Sequence, residues 1–530
     1  MSLAASARVG AGEEAVAQPV AVIDIGATSI RMAIAEIRGD GQVRTLENLI
    51  QAVSLGKDTF VNRRIRRSTI EECVRVLKSY RRAMLQYGIT RPEQVRVVAT
   101  SAVREAVNRL AFIDRIFIAT GLVVEPLDEA EVNRITYMGI QPLLKSHPEL
   151  AGSKNVIVEV GSGSTEVLMV RGGNVLYSNS YRLGSLRMIE QLERYRGGGK
   201  QRAIMETQIR RFAEAIRDHC RVSDPQFHLI GIGGDIRFAI SNIRGEEPPD
   251  DLTPLPVDEL KRLAEELLEA SGEETVRRYN ISFPDAETVG PALLAYARLA
   301  ERFGCESIYA APTNLRDGLL SDFATSERWT AEFRNQIIRS AINLGRKFDF
   351  DEKHARHVAT LCRKLYVELQ EEHGLDQRME LILYLAALLY GIGHFVSVRS
   401  NHKHAMYLIR NSELFGLSRR DVLLVALVAR YHRRSSPQSD HEGYATLDRN
   451  ERVAVAKLAA VLRVAIALDE TRSQRISNFR CRRDADRLII STGDVEDLSL
   501  EQLTLRQNGN LFEEVFGMSV LLRANRLPRG

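Results

Sequence analysis

The stretch Asn155–Val170, NVIVEVGSGSTEVLMV, decides the fold. Val156, Ile157, Val158 and Val160 make an apolar, β-branched strand broken only by Glu159. Gly161-Ser162-Gly163-Ser164-Thr165 then sets glycines among hydroxyls, and a second apolar strand leaves. Glycines let a backbone turn at positive φ and bring bare N–H groups close to an anion. Glu159 and Glu166 bracket the turn. Amides and hydroxyls for a phosphate, with carboxylates for a metal or a water, are the parts of a phosphoryl-transfer site. Read alone, the stretch is equally a β-hairpin closed by a Gly/Ser turn.

Residues 20–37, VAVIDIGATSIRMAIAEI, write the pattern a second time. A strand runs into Asp24, Gly26-Ala27-Thr28-Ser29 turns, and an apolar strand leaves. Asp24 and Ser29 stand five apart, as do Glu159 and Ser164. Two such turns at one internal spacing imply a duplicated fold whose halves each offer a phosphate loop. Loops facing across a cleft would hold a chain of phosphates and a metal between them.

Outward from these loops, Gln51–Lys57 reads as a strand end. Thr69–Tyr87 has helical periodicity, with Ile70, Val74, Leu77, Tyr80 and Met84 on one face. Val95–Thr100 reads as a buried strand entering Ser101-Ala102-Val103-Arg104, where Arg104 projects from a first helical turn. Asp128-Glu129-Ala130-Glu131 opens a helix, acidic as a first turn prefers. His228–Ile232 is a strand into Gly233-Gly234-Asp235, another anion-ready turn before a helix. Leu252–Ala270 and Ala292–Phe303 read as helices and Ser307–Ala311 as a strand, so residues 20–320 are α/β. From about residue 325 helical periodicity takes over, from Arg334–Phe348 to Glu451–Asp469. Seven of the eleven histidines fall between His354 and His432. Arg480–Arg523 alternates apolar and polar in short segments, which predicts a small strand-rich cap.

Composition sets outer bounds. The chain has 530 residues, 44% hydrophobic and 27% charged, as soluble globular proteins do. It contains no unbroken run of about eighteen apolar residues. The N-terminus lacks an apolar signal segment, and residues 1–18 read as a disordered tail. Five scattered cysteines imply a reducing, cytoplasmic setting with no zinc motif. Net charge is only +4, but Arg63, Arg64, Arg66 and Arg67 cluster, as do Arg430, Arg433 and Arg434. Such clusters are solvated surface or a track for a polyanion. No aromatic-interleaved basic motif points to nucleic acid, and a membrane partner is not expected.

Taken in order, the motifs resemble the exopolyphosphatase/guanosine pentaphosphate phosphohydrolase (Ppx/GppA) family, within the actin/hexokinase/Hsp70-type ATPase-fold superfamily. AVIDIGATSIRM looks like that family's first phosphate loop, VATSAVREAVN like its T-S-A-x-R segment, and NVIVEVGSGSTEV like its D-I-G-G-G-S-T-E loop. GIGGDIR and NLRDGLL look like the later elements of the second half, and DEKHARHVA, LLYGIGHFVS and HKHAMYLI like an appended HD-type domain. The resemblance implies two duplicated actin-like (ribonuclease H-like) domains around a cleft, spanning 19–140 and 141–323. An all-α HD-like domain over 324–475 and a small α+β segment over 476–530 would follow. It implies Mg2+-dependent release of terminal orthophosphate from inorganic polyphosphate, with guanosine pentaphosphate as a further substrate, by a homodimer. The implied phosphate ligands are Gly26, Thr28, Ser29, Arg31, Ser101, Arg104, Gly161, Ser162, Gly163, Ser164, Thr165, Gly233 and Gly234. Asp24, Glu159 and Glu166 are the implied magnesium ligands, and Glu131, Glu166 and Glu159 the implied catalytic carboxylates.

The chain departs from the family pattern at several points. Glu159 stands where the family usually has Asp, Ser162 replaces a glycine, and Asp235 stands where Thr or Ser is usual. Ungapped alignment on Tyr137-Met138-Gly139-Ile140 puts Val132 at the catalytic glutamate's position. Glu131 is one residue early, about 100° around a helix; it or Glu129 would have to substitute. Tyr390-Gly391 replaces the His-Asp pair and Ile466 the later Asp, although Asp469 remains. The HD-like domain is therefore expected to be structural. The alternative reading is a catalytically weakened regulatory protein that binds polyphosphate or guanosine polyphosphate. A third, a sugar kinase or Hsp70-type ATPase on the same fold, is disfavoured by the T-S-A-x-R segment and the helical C-terminal domain.

Overall fold

The computed structural model describes residues 18–39, 41–193, 200–220, 227–245, 250–324, 331–433, 435–493 and 497–524. Arg434 and the tail expected over residues 1–18 lie outside these, except for Gln18, which opens the first strand. The chain divides into two compact units, 1–328 and 329–530.

The first unit is built twice on one plan. β1 (Gln18–Ile25) runs antiparallel to β2 (Ser29–Ile37), which pairs with β3 (Val43–Ala52). On its other side β1 runs parallel to β4 (Val95–Ala99), and β4 parallel to β5 (Val124–Pro126). The sheet order is β3-β2-β1-β4-β5. β6 (Lys154–Val160) repeats this with β7 (Thr165–Arg171), β8 (Asn174–Tyr181), β9 (Phe227–Ile232) and β11 (Ser307–Ala310). Read from its far edge, the second sheet is β8-β7-β6-β9-β11, with β10 (Thr253–Pro256) added antiparallel. Each Gly/Ser turn therefore sits at the tip of a hairpin whose first strand is central, buried and parallel-paired. This is the expected duplicated, actin-like α/β architecture.

The central strands are apolar on both faces because both are covered. One face of the first sheet packs Ile23, Ile25 and Met32 under helix Arg67–Gln86, which contributes Ile70, Val74, Leu77, Tyr80 and Met84. The other face, Val20, Val22, Ala33 and Val98, is closed by Val132 and Ile135 of helix Glu129–Ser146. Leu315, Leu319 and Leu320 of helix Leu315–Ala324 complete that cover. The last helix of the unit thus returns to the first sheet. A Cβ on Gly318 would lie 2.1 Å from the carbonyl oxygen of Ile135, so the two helices meet backbone to backbone.

Three local readings change. Lys57 lies in helix Leu55–Asn62, since β3 ends at Ala52. Leu252–Ala270 opens with β10: Pro254 and Pro256 hold their predecessors extended, and the helix begins only at Val257. The helix read from Ala292 starts at Phe283 and carries Pro291 inside it, where proline is normally excluded.

The second unit packs helices Ala331–Lys347, Glu352–Glu368, Gln377–Leu389, Asn401–Arg410, Arg419–Arg430 and Arg449–Leu468. Asp351, Asp376, Ser418 and Asp448 cap four of them by accepting a backbone N–H three residues on. Gln377–Phe395 is apolar and long enough to cross a membrane by composition, yet the fold buries Leu381–Ile382 and Leu385–Leu389 as a core helix. The expected C-terminal cap is a sheet of β12 (Arg480–Asp484), β13 (Arg487–Thr492) and β14 (Ser519–Ala524), with helices Ser499–Asn508 and Asn510–Phe516.

Candidate active site

The two Gly/Ser turns are the same turn. Gly26 N–H donates to the Ser29 carbonyl at 3.0 Å, and Gly161 N–H to the Ser164 carbonyl at 2.9 Å. Their carbonyls are bound from behind. In the first loop the Ala27 and Thr28 carbonyls accept from the N–H groups of Gly56 (2.8 Å) and Val53 (2.9 Å). In the second the Gly161 and Ser162 carbonyls accept from Ser185 (3.0 Å) and Arg187 (3.1 Å). In a planar trans peptide the next N–H points opposite to its carbonyl. Binding these carbonyls on one side therefore presents a row of N–H groups on the other, the arrangement that favours an anion. The loops meet across the cleft, with the Thr28 and Ser162 hydroxyls 3.4 Å apart.

Around that meeting point lies a cavity of ≈ 240 Å³ lined by Asp24, Arg31, Glu159, Asp235, Arg237 and Arg316 among others. A smaller one of ≈ 90 Å³ shares Asp24, Arg31 and Glu159 and adds Ser101, Arg104, Val132, Ser164 and Glu166. The residue pairs at the two hairpin tips differ in sign. Across β1 and β2, Asp24 faces Arg31, with Oδ2 and Nη1 3.5 Å apart. Across β6 and β7, Glu159 faces Glu166. Like charges opposed across strands destabilise the ionised state.

The carboxyls respond accordingly. Burial first, then Glu166 and Asp24, push Glu159 up to about 7 against the pull of Arg31 and Arg237. Burial also raises Glu166, opposed by the hydroxyls of Ser164, which donates at 2.7 Å, and Ser180. Asp235 is pushed up to about 7 by burial and then Asp285. Burial lowers Arg237 and Arg316, offset by nearby carboxylates. Gly233, at φ 101°, takes a conformation that favours glycine, and a Cβ there would meet Glu159 Oε1 at 3.3 Å.

Most of the sequence candidates line this cleft: Asp24, Gly26, Thr28, Ser29, Arg31, Ser101, Arg104, Glu159, Gly161–Ser164, Glu166, Gly233 and Gly234. Thr165 does not; its buried hydroxyl donates to the Leu183 carbonyl at 2.5 Å. Glu131 is also absent from the lining. Its carboxylate takes both Nε (3.0 Å) and Nη2 (2.7 Å) of Arg134 and lies 3.5 Å from Arg96. Arg134 in turn grips Asp322 at 2.8 and 2.9 Å. The cause is the phase of the helix. Asp128 caps it by accepting from Glu131 N–H at 2.8 Å, which starts it at Glu129 and puts Val132 on the cavity. Glu131 then falls on the Arg134 face, three residues apart. Arg237 and Arg316 also line the cleft, although the motifs GIGGDIR and NLRDGLL do not single out their arginines. Each follows a turn by one or two residues at a helix start, a position that sequence alone assigns to capping.

Comparison with known sequences decides the family. The family model described as the Ppx/GppA phosphatase family matches residues 33–327, and that for Ppx/GppA phosphatase, domain III, matches residues 338–512. The chain belongs to the Ppx/GppA phosphatase family. Among solved structures, an exopolyphosphatase from Cytophaga hutchinsonii is 22% identical with a TM-score of 0.51, over 58% of this chain and 98% of its own. The Aquifex aeolicus Ppx/GppA family member is 24% identical with a TM-score of 0.48, over 59% and 100%.

For a Ppx/GppA phosphatase the question of a metal arises in this cleft. Asp24 Oδ1 is buried with no hydrogen-bond partner. It shares the cavity with Glu159, whose carboxyl is raised first by burial and then by the neighbouring carboxylates Glu166 and Asp24. Hard carboxylate oxygens suit magnesium, which takes one or two protein carboxylates and completes its shell with water and phosphate. Among the described residues no three His, Cys, Asp or Glu are grouped tightly enough to hold a metal alone. The residues therefore fit an ion shared with a phosphate. In the second unit His354 bonds Asp469 (2.7 Å) and the Tyr390 hydroxyl (2.6 Å), a neighbourhood of hydrogen bonds at the position of the replaced His-Asp pair.

Proposed function

We propose that this Ppx/GppA family member is an exopolyphosphatase-type phosphohydrolase, cleaving terminal orthophosphate from inorganic polyphosphate and accepting guanosine pentaphosphate. The carrying observation is the pair of identical Gly/Ser turns meeting across one cleft, each with its carbonyls bound from behind. A terminal phosphate between them would receive N–H groups from both loops, the hydroxyls of Thr28 and Ser162, and the charge of Arg31 and Arg104. Arg237 and Arg316 would hold the penultimate phosphate. Asp24 and Glu166, each with a buried oxygen that lacks a hydrogen-bond partner, would hold magnesium, which when bound neutralises phosphate charge and orients the leaving group. Glu159, poised near neutrality, takes the proton of the attacking water, and Ser164 fixes the Glu166 carboxylate beside it.

The test is orthophosphate release from long-chain polyphosphate with magnesium by the wild type and by Glu166→Gln. Absence of release from the wild type across a wide range of metal and substrate sinks the hydrolase. One observation favours a second reading: Val132 lines the cavity and Glu131 is held by Arg134. On that reading the protein binds polyphosphate or guanosine polyphosphate and regulates a partner. Tight, salt-sensitive binding without release supports it, and Val132→Glu would then restore turnover.

A further inference from the structure

Behind the second loop the support extends from backbone donors to a side chain. Helix Ser185–Glu193 begins directly behind it, and three successive loop carbonyls are bound there. Ser185 N–H takes Gly161 and Arg187 N–H takes Ser162. The third, Gly163, accepts at 2.7 Å from the Arg187 side chain through Nε. The same guanidinium donates through Nη2 to Glu105 Oε1 at 2.6 Å and lies 4.2 Å over the Phe60 ring. Glu105 immediately follows the short Ser101–Arg104 helix, and Phe60 lies in helix Leu55–Asn62, both of the first lobe. Arg182 donates to the other Glu105 oxygen at 2.5 Å. The side chain is buried although charged.

Each contact bears on the loop. With the Gly163 carbonyl drawn towards Arg187, the Ser164 N–H is turned to the opposite side. The loop has no slack: a Cβ on Gly163 would lie 2.2 Å from Ser101 Oγ and 2.5 Å from Phe60. A Cβ on Gly184 would lie 2.5 Å from the Ser162 carbonyl oxygen. Burying a guanidinium is costly unless it is paired and hydrogen-bonded, and here it binds a carbonyl, a carboxylate and an aromatic face. Only a planar fork satisfies all three at once.

We infer that Arg187 is a positioning residue that sets the second phosphate loop in its anion-binding form and ties it to the first lobe through Glu105 and Phe60. It touches no reacting atom. This rests on the phosphohydrolase reading, so the test separates the two. Binding of orthophosphate and of tripolyphosphate is measured by calorimetry on the full chain, and turnover is measured alongside, for wild type, Arg187→Lys, Arg187→Met and Glu105→Gln. Thermal unfolding identifies any variant that fails to fold; the Lys and Gln variants keep size and polarity. Arg187→Lys is expected to weaken orthophosphate binding and to lower kcat by about tenfold to a hundredfold while remaining folded. Guanidinium added to Arg187→Met is expected to restore part of the loss, which a purely structural role would not allow. A wild type that neither binds nor hydrolyses overturns the phosphohydrolase reading. A wild type that does both, beside a folded Arg187→Lys equal to it in affinity and kcat, overturns the positioning role alone.

Discussion

The two hairpin tips share a backbone and differ in charge. At the first, Asp24 faces Arg31 and its partner neutralises it. At the second, Glu159 faces Glu166 and the pair strains against ionisation. A duplicated scaffold has been divided between two tasks. On the proposed function the first tip would present a cation to hold phosphate, and the second would present carboxyls raised by burial to move a proton and share a metal. Backbone geometry supplies anion affinity on both sides, and side-chain sign supplies the asymmetry that a reaction needs.

That division breaks most visibly at the carboxyls. Glu166→Gln and Glu159→Gln are each expected to lower kcat about 10²- to 10⁴-fold with KM nearly unchanged; steady-state phosphate release with either variant at wild-type kcat would end the comparison. Next in size is Arg31→Met, which removes the first tip's cation. It should raise KM for tripolyphosphate roughly tenfold to a hundredfold, with a smaller fall in kcat. A pure kcat effect there would give the first tip a chemical role.

Glu131→Gln sharpens the same contrast from outside the cleft. Because Glu131 serves Arg134 and Arg96, kcat should stay within about threefold while urea unfolding shows a loss of about 2 kcal/mol. Smallest is the effect of acidity. Glu159 sits at about 7 rather than 4.5, so its base form grows as pH rises through 7. The kcat/KM profile should climb from pH 6 to 8 and flatten, and Glu159→Gln should abolish that rise. Stability runs the other way. Between 4.5 and about 7 the folded chain keeps a proton that the unfolded chain has released, so stability falls as pH rises through this window. Glu159→Gln is therefore expected to stabilise the protein by ~2 kcal/mol at pH 8 and not at pH 4, read by denaturant titration at both.

Much of this was legible in the residues. The twin spacing of Asp24–Ser29 and Glu159–Ser164 announced the duplication, because one backbone turn demands glycine and small residues at fixed places. The strand–turn–helix units marked Arg104, Gly233 and Gly234 as anion-ready, and the family resemblance placed them with Ser101 around one cleft. What escaped depends on phase and on distant partners. A single cap, Asp128, rotated Glu131 out of the cleft. Thr165 found the Leu183 carbonyl, eighteen residues later. Arg187 carries no motif signal, because its partners Gly163 and Glu105 lie 24 and 82 residues away in the chain.

The return of helix Leu315–Ala324 to the first sheet has a consequence for how the protein is made. The strands of that sheet are all present once Pro126 has been added. Yet Val20, Val22, Ala33 and Val98 share their core with Leu315, Leu319 and Leu320. At ordinary elongation rates the ribosome needs roughly ten to forty seconds to add the intervening residues. During that interval the nascent lobe carries an apolar face awaiting its cover, together with Arg134 awaiting Asp322. A chaperone that masks that face, or faster elongation that shortens its exposure, would raise the yield of folded protein.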